Sequence, residues 1–191
     1  MVDILLTAEP FLGGYYQEFD GITLEELTDI SLMSIAQPLR GRTALQKAVR
    51  AVWGCTLPRP GVVALSKNNK VRLLCLTPDS YLGVFTNEIS AKEAATDLGQ
   101  AAYCTDQSDN WVTLRIDGPK ARMALARICP INLHAETFPV GAFARTSMEH
   151  LGVIVLRGGP DEFMLMSASS SAGSFLHSIT TSINNVEHLP R

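Results

Sequence analysis

No stretch of the 191 residues approaches the ~18 consecutive apolar residues of a membrane span, so no membrane association is expected. Asp3 stands where a secretory leader would be basic, and Ile4-Leu5-Leu6 is too short for a leader's apolar core. The four cysteines (Cys55, Cys75, Cys104 and Cys129) include no C-x-x-C pair. That spacing gives no disulfide framework, and it fits free, buried thiols in a reducing, cytoplasmic setting. An excess of positive charge is also missing. Sixteen Lys and Arg against 19 Asp and Glu give a net charge of −3, so nucleic acid is not expected as a partner. The pairs Arg40/Arg42 and Lys120/Arg122 read as solvated helix starts.

Chemical signatures are equally scarce. There is no G-x-S-x-G, hence no nucleophile elbow. There is no G-x-G-x-x-G or Walker loop, hence no standard nucleotide cradle, and Gly13-Gly14 and Gly158-Gly159-Pro160 read as turns. His134, His150, His177 and His188 have no ligand spacing with each other or with a cysteine, which leaves a zinc site only if the fold itself assembles one. No metal, cofactor or catalytic constellation is therefore expected in this chain.

What the sequence does have is a duplication. Residues 39–61 (LRGRTALQKAVRAVWGCTLPRPG) and then 77–85 (TPDSYLGVF) are echoed by 116–141 (IDGPKARMALARICPINLHAETFPVG) and 159–167 (GPDEFMLMS). The offset is 77 at the first glycines (118 − 41), 80 at the turn glycines (141 − 61) and 82 at the Pro-Asp prolines (160 − 78). Two copies of one supersecondary unit must pack together to bury a shared apolar face. A chain of this length buries roughly 70–75% of its extended surface, enough for a core without disulfide or metal.

The first copy starts with a strand over 30–36. A helix follows, capped by Thr43, with Leu45, Ala48, Val49, Val52 and Trp53 on one face and Gly54 as its stop. Strands are expected over 62–66, 71–76 and 81–85, with 67–70 a hairpin tip and Pro78-Asp79 a turn. Ser90 and Glu93 form a capping box for a helix through Leu98, closed by Gly99. In the second copy, strands over 102–106 and 111–116 flank a polar turn, and Pro119 takes the first position of a short helix bearing Ala121, Leu125 and Ile128. Strands over 142–147, 153–157 and 162–167 follow, then a helix with Ala172, Phe175, Leu176, Ile179 and Ile183 on one side. Residues 1–28 match neither copy and are expected to lie as an arm on this chain or on a partner. The domain organisation is then an arm (1–28) and a single domain (29–191) of two pseudo-repeats, 29–99 and 100–185. The fold class is α+β: two pseudo-repeated β-α-β-β-β-α halves packed together, with helices on antiparallel or mixed sheets.

The duplication sorts the reactive side chains. Cys55 and Cys129 occupy matching helix ends, which favours apolar filling over thiolate chemistry, because packing demands are duplicated with a fold while one active site need not be. Asp79 and Asp161 also match, as Asx-type turn residues. Arg145 and Thr146 lie inside a strand with apolar neighbours. A charge there either meets a partner at a sheet face or reaches solvent, and the two are the candidate polar contacts at an interface, with Glu149 and His150 exposed at the hairpin tip beyond.

The stretch DQSDNWVTLRIDGPKAR (106–122) resembles the D-x-S … G-P-x-A segment of the folate-dependent aminomethyltransferase superfamily, which includes the glycine-cleavage T-protein. CPINLHAETFPVGAFART (129–146) and GPDEFMLM (159–166), with DISLMSIA, GCTLPRPG and TPDSYL in the first half, narrow the resemblance to the gamma subunits of heterotetrameric sarcosine oxidase, over about residues 29–180. The resemblance implies an aminomethyltransferase folate-binding-like fold and a gamma subunit in a cytoplasmic oxidoreductase complex of sarcosine catabolism and one-carbon metabolism. Its partners would be alpha, beta and delta subunits. FAD, FMN, NAD, tetrahydrofolate and zinc would sit in those partners, and the gamma chain would have no active site of its own. Leu76 and Tyr81 stand where the family often has Trp, and Asn132 where it often has Asp, which leaves open whether the amine is sarcosine, N-methylglutamate or another N-methyl amine. The alternative reading is a compact folate-binding aminomethyl-transfer protein, although the chain is too short for the extra domain of the full transferases. A stand-alone folate-sensing or repair factor ranks last, since its distinctive cysteine motif is missing.

Overall fold

The computed structural model describes residues 9–86 and 89–187. The elements are β1 (Tyr16–Phe19), β2 (Ile22–Glu26), β3 (Ile30–Ala36), α1 (Arg42–Trp53), β4 (Val63–Leu65), β5 (Val71–Thr77), β6 (Ser80–Thr86) and α2 (Ala91–Leu98). Then come β7 (Tyr103–Asp106), β8 (Trp111–Asp117), α3 (Ala121–Ile128), β9 (Phe143–Met148), β10 (Leu151–Arg157), β11 (Glu162–Ala168) and α4 (Ala172–Glu187). They build a six-stranded sheet, β1-β2-β8-β11-β10-β9, and a five-stranded sheet, β4-β5-β6-β3-β7. Every named strand pairing is antiparallel, so the mixed-sheet option is not taken.

Alternation along the strands decides the layering, because successive side chains point to opposite faces. In β3 and β5, Met33, Ile35, Val71, Leu73 and Cys75 pack with Leu45, Val49 and Trp53 of α1 and Ala94 and Leu98 of α2. Their strand neighbours Leu32 and Leu74 turn the other way and meet Ile154, Leu156, Met164 and Met166 of the six-stranded sheet. On that sheet's outer face, Val112, Leu114, Ile116, Phe163 and Leu165 pack with Leu125 of α3 and Phe175, Ile179 and Ile183 of α4. The result is four layers, helices–sheet–sheet–helices. Phe163 and Phe175 are fully buried, and each side chain of this kind contributes about 1.5–3 kcal/mol relative to exposure.

The two copies are the two sheets. The order β4-β5-β6-β3 recurs as β9-β10-β11-β8, with 80 residues from Val71 to Leu151 (151 − 71) and 81 from Ile30 to Trp111 (111 − 30). Each sheet then takes one strand from the other half. β7 begins the second copy yet pairs with β3 of the first, and β2 precedes the first copy yet pairs with β8 of the second. The exchange is reciprocal in its hydrogen bonds. Leu27 N–H donates to Thr113 O at 2.9 Å, and Gln107 N–H donates to the matching Leu32 O at 2.8 Å. At the other side of the sheets, Val63 N–H donates to Gly141 O and Phe143 N–H to Gly61 O, at 2.9 and 3.0 Å, around the antiparallel bridge Val62–Ala142. Each of these pairs joins positions that correspond in the duplication, as a local two-fold axis requires.

Three local expectations are corrected. The expected strand–turn–strand over 102–116 forms both strands, but they separate into different sheets, because the exchange places β7 beside β3. Thr43 does not cap α1. Gly41 holds the N-cap position, without a side-chain hydrogen bond, and Thr43 lies inside the first turn. Pro119 precedes the N-cap Lys120 of α3, and the Ala121 N–H to Gly118 O bond at 2.9 Å makes Pro119 the corner of a tight turn. The capping box Ser90–Glu93 forms as expected, and the Ser90 hydrogen bonds lower the Glu93 pKa. Of the arm, residues 9–28 include the hairpin β1–β2, and the residues before Glu9 lie outside the described ones.

Gly118 is where the hairpin meets the second copy. Its φ is +128°, and a Cβ there would strike the carbonyl oxygen of Gly21 in the β1–β2 turn. Gly118→Ala should lower unfolding free energy by about 2–4 kcal/mol. Gly173→Ala, in α4 with open space around its Cβ position, should raise it by about 0.5–1 kcal/mol. Urea denaturation followed by circular dichroism checks both signs.

Candidate functional site

Arg145 and Thr146 sit in the middle of β9, an edge strand whose one neighbour is β10, with Arg145 opposite Ile154 and Thr146 opposite Val153. Successive positions place them on opposite faces. Arg145 is exposed on the face that carries Phe143, and Thr146 is half-buried on the face that carries Ala144 and Met148. Both border an open groove of about 510 Å³ that Trp111, Ser167 and Ser171 also line. Arg145 makes no hydrogen bond or ion pair with another described residue. The groove therefore offers one exposed cation beside apolar wall, a binding feature rather than a reacting pair.

The matching cysteines behave as core atoms. Cys55 and Cys129 are buried in the cores under α1 and α3 respectively, and burial raises both thiol pKa values above the ordinary 9.0. Burial also raises Cys75 and Cys104, and in Cys75 the Arg42 charge opposes it. All four are free. Asp79 and Asp161 share a role, although through the main chain and not the expected Asx side-chain bonding. The Asp79 carbonyl accepts from Gln37 N–H at 2.8 Å and the Asp161 carbonyl from Gly118 N–H at 3.2 Å. The Asp79 carboxylate accepts from the Thr77 hydroxyl at 2.7 Å. Each Pro-Asp turn thus ties a hairpin tip to the end of the strand that precedes the helix.

Among the described residues no group of three or more His, Cys, Asp and Glu could hold a metal ion. His134 lies 4.0 Å from Glu136, both exposed, and His188 lies outside the described residues. No described helix is long and apolar enough to cross a membrane.

Three polar residues escaped the sequence reading. Arg157, 5% exposed, ends β10 with its guanidinium donating to the carbonyls of Leu133, Phe138, Gly159 and Pro160 and lying 5.3 Å from the Phe163 ring centre. It pins the long 129–142 connection to the sheet. The one clue was an Arg closing an apolar strand at the position that corresponds to Thr77. Glu26 and Thr113 are buried as well. The Glu26 carboxylate accepts from the Leu12 and Gly14 N–H groups, and the Thr113 hydroxyl has no partner among the described residues.

Arg157→Lys keeps the charge but loses the planar fork, so stability should fall by about 1–3 kcal/mol, read by urea denaturation. Because the folded thiol pKa values lie above the ordinary one, stability from the buried cysteines is fully present below pH 9.0 and is lost as pH rises through the folded values. A chain whose cysteines react with Ellman's reagent as fast when native as when unfolded would contradict that burial.

No protein-family model matches the chain. It is 29% identical over 140 residues to the sarcosine oxidase subunit gamma of Corynebacterium sp. (strain P-1), covering 72% of this chain and 66% of that one. With the subunit gamma of Arthrobacter sp. the identity is 25% over 121 residues, 62% of this chain and 60% of the other. The chain thus spans about two thirds of the curated relatives it matches. Among solved structures, a chain of the heterotetrameric sarcosine oxidase from Corynebacterium sp. U-96 matches with a TM-score of 0.76 and 25% identity, over 89% of this chain and 87% of that one. The glycine cleavage system aminomethyltransferase T from Bartonella henselae matches with a TM-score of 0.61 and 12% identity, over 87% of this chain and 53% of that one, a likeness of fold. Sequence and fold converge: the chain is homologous to the gamma subunits of sarcosine oxidase and has the aminomethyltransferase-like fold.

Proposed function

We propose that this chain is the gamma subunit of a heterotetrameric, flavin-dependent sarcosine oxidase, or of a close relative acting on another N-methyl amine, with a structural role in assembly. The observation that carries this reading is the match over 89% of the chain to a chain of a heterotetrameric sarcosine oxidase. The partners are then alpha, beta and delta subunits, and FAD, FMN, NAD, tetrahydrofolate and zinc belong to them. The division into an arm (1–28) and one domain of two repeats (29–99 and 100–185) is part of the same reading, as is a reducing, cytoplasmic setting for the free thiols. Arg145 and Thr146 are proposed as polar contacts at the interface.

The surface beside the Val62–Ala142 bridge supports a docking role. Val62, Leu65 and Val140 are 53%, 49% and 56% exposed, and Leu65 and Val140 share the lining of one 250 Å³ hollow with the half-buried Arg72. Exposed apolar side chains that cluster mark an interaction face. Co-expression with the three other subunits of its own complex should give a yellow complex containing this chain. In that experiment Val62→Asp with Leu65→Asp should cut recovery in the complex by about tenfold while circular dichroism of the isolated chain stays unchanged. A wild-type chain that elutes alone, with all three partners present and flavin-loaded, would refute the subunit role.

The fold shared with aminomethyltransferase T favours a second reading, a folate-binding one-carbon transfer protein. Calorimetric titration with tetrahydrofolate separates the two: saturable heat would support the second, and none at high micromolar ligand would remove it.

A further inference from the structure

The two corresponding sheet edges carry one apolar and one cationic side chain each, in opposite order. Leu65 on the edge strand β4 stands opposite Arg72 on β5, and Arg145 on the edge strand β9 stands opposite Ile154 on β10. The positions correspond, because Arg72 has Val84 of β6 on its other side and Ile154 has the matching Met166 of β11. In the second copy the cation is on the rim and its neighbour belongs to the core, with Ile154 1% exposed. In the first copy the apolar residue is on the rim, and the guanidinium stands one strand further in, half-buried.

Arg72 makes no hydrogen bond or ion pair with another described residue. It lines the 250 Å³ hollow with Val63, Leu65, Val140 and Leu156, and no Asp or Glu is among the described residues that line it. Val63, Leu65 and Arg72 share one face of the β4–β5 hairpin, by alternation and by direct pairing across the strands. Val63 and Leu156 place that face on the side of the core between the sheets. Arg157 lines the hollow as well, but its guanidinium already donates to four carbonyls. Any surface that covers Leu65 and Val140 also takes Arg72 out of water, and a neutral one would bury an unpaired charge.

We propose that a segment of a partner subunit docks here, filling the hollow with an apolar side chain and setting an Asp or Glu carboxylate on the Arg72 guanidinium. The inference rests on the subunit role and adds the chemistry of the partner's contact. A carboxylate suits Arg72 because the planar guanidinium donates two parallel hydrogen bonds to it. The hollow is smaller than the roughly 300–1,000 Å³ of small-molecule sites, which favours a side chain over a free ligand. A symmetric dimer through this face would bring Arg72 towards its own copy and supply no carboxylate from the hollow.

The test uses the full chain assembled by co-expression with the three other subunits of its own complex. Labelled chain is exchanged out of that complex by excess unlabelled wild type. Arg72→Gln should leave the complex roughly tenfold faster than wild type, while Arg127→Gln, an exposed change on α3, should leave at the wild-type rate. Arg72→Lys keeps the charge, and in its assembled complex a carbodiimide, which joins an amine to a carboxylate in contact, should couple position 72 to an Asp or Glu of another subunit. Mass spectrometry of the digested complex reads that link. The proposal is overturned if Arg72→Gln exchanges as slowly as wild type, or if position 72 couples to nothing, to this chain's own carboxylates or to a second copy of this chain. In those cases the wild-type chain still sits in the complex and the subunit role stands. A wild-type chain that never enters the complex removes both.

Discussion

The reciprocal exchange of β2 and β7 is the constraint from which the rest of the molecule follows. Each half contributes the strand that covers the other's open edge, so β3 and β8 have main-chain partners on both sides only when both halves are present. Cutting the chain between α2 and β7 would expose two rows of unpaired N–H and C=O groups, which a compact fold does not tolerate. The exchange makes one cooperative unit of two similar ones. It also sets a kinetic cost, since β2 must find β8 roughly 90 residues away before that pairing returns any stability.

Duplication supplies an internal control that few folds offer. Where both copies keep a feature, the fold needs it. Cys55 and Cys129 both fill core beside a helix end, Gly61 and Gly141 both accept across the two-fold bridge, and the Asp79 and Asp161 carbonyls both anchor a hairpin tip. Where the copies diverge, packing alone is not the reason. Arg157 replaces Thr77 and binds the 129–142 connection, which is longer than its counterpart over 54–62 in the first half. Thr113 replaces Leu32 and Arg145 replaces Leu65, and in each case the second half puts a polar group where the first uses an apolar one.

Periodicity and turn chemistry made much of this visible from residues alone. β3 is a run of alternating partners for two cores and ends before Pro38. Ser90 and Glu93 are a local device that needs nothing distant, and Gly54 ends α1 in the left-handed region at φ 68°. What could not be read was non-local. Nothing in Tyr103–Asp106 says that it joins β3 rather than the strand next to it in sequence, because the choice is made by an open edge some 70 residues away. The same applies to Glu26 and Thr113: one is a carboxylate in a mixed strand and the other a β-branched residue suited to any strand. Their burial becomes evident only when the arm and both sheets are assembled. The exposed place of Arg145 in a strand was legible because a charge inside an apolar strand is conspicuous wherever the strand ends up.

The edges of the sheets explain why one face is suited to a permanent partner. β4 and β9 correspond, both are edge strands, and they meet at the Val62–Ala142 bridge. β9 carries Arg145 in its middle, the charge by which edge strands commonly avoid pairing with stray chains. β4 carries Leu65 at the matching position, half exposed, with Val62 and Val140 exposed nearby. A lone chain gains nothing from leaving that edge apolar, since the equivalent edge shows that a charge is compatible with the same backbone. An apolar edge is an advantage only when another surface covers it soon after folding, and then the uncharged strand spares the complex the cost of burying an unpaired ion. On the proposed subunit role, the contrast between Leu65 and Arg145 fits β4 at the inside of an assembly and β9 at its rim.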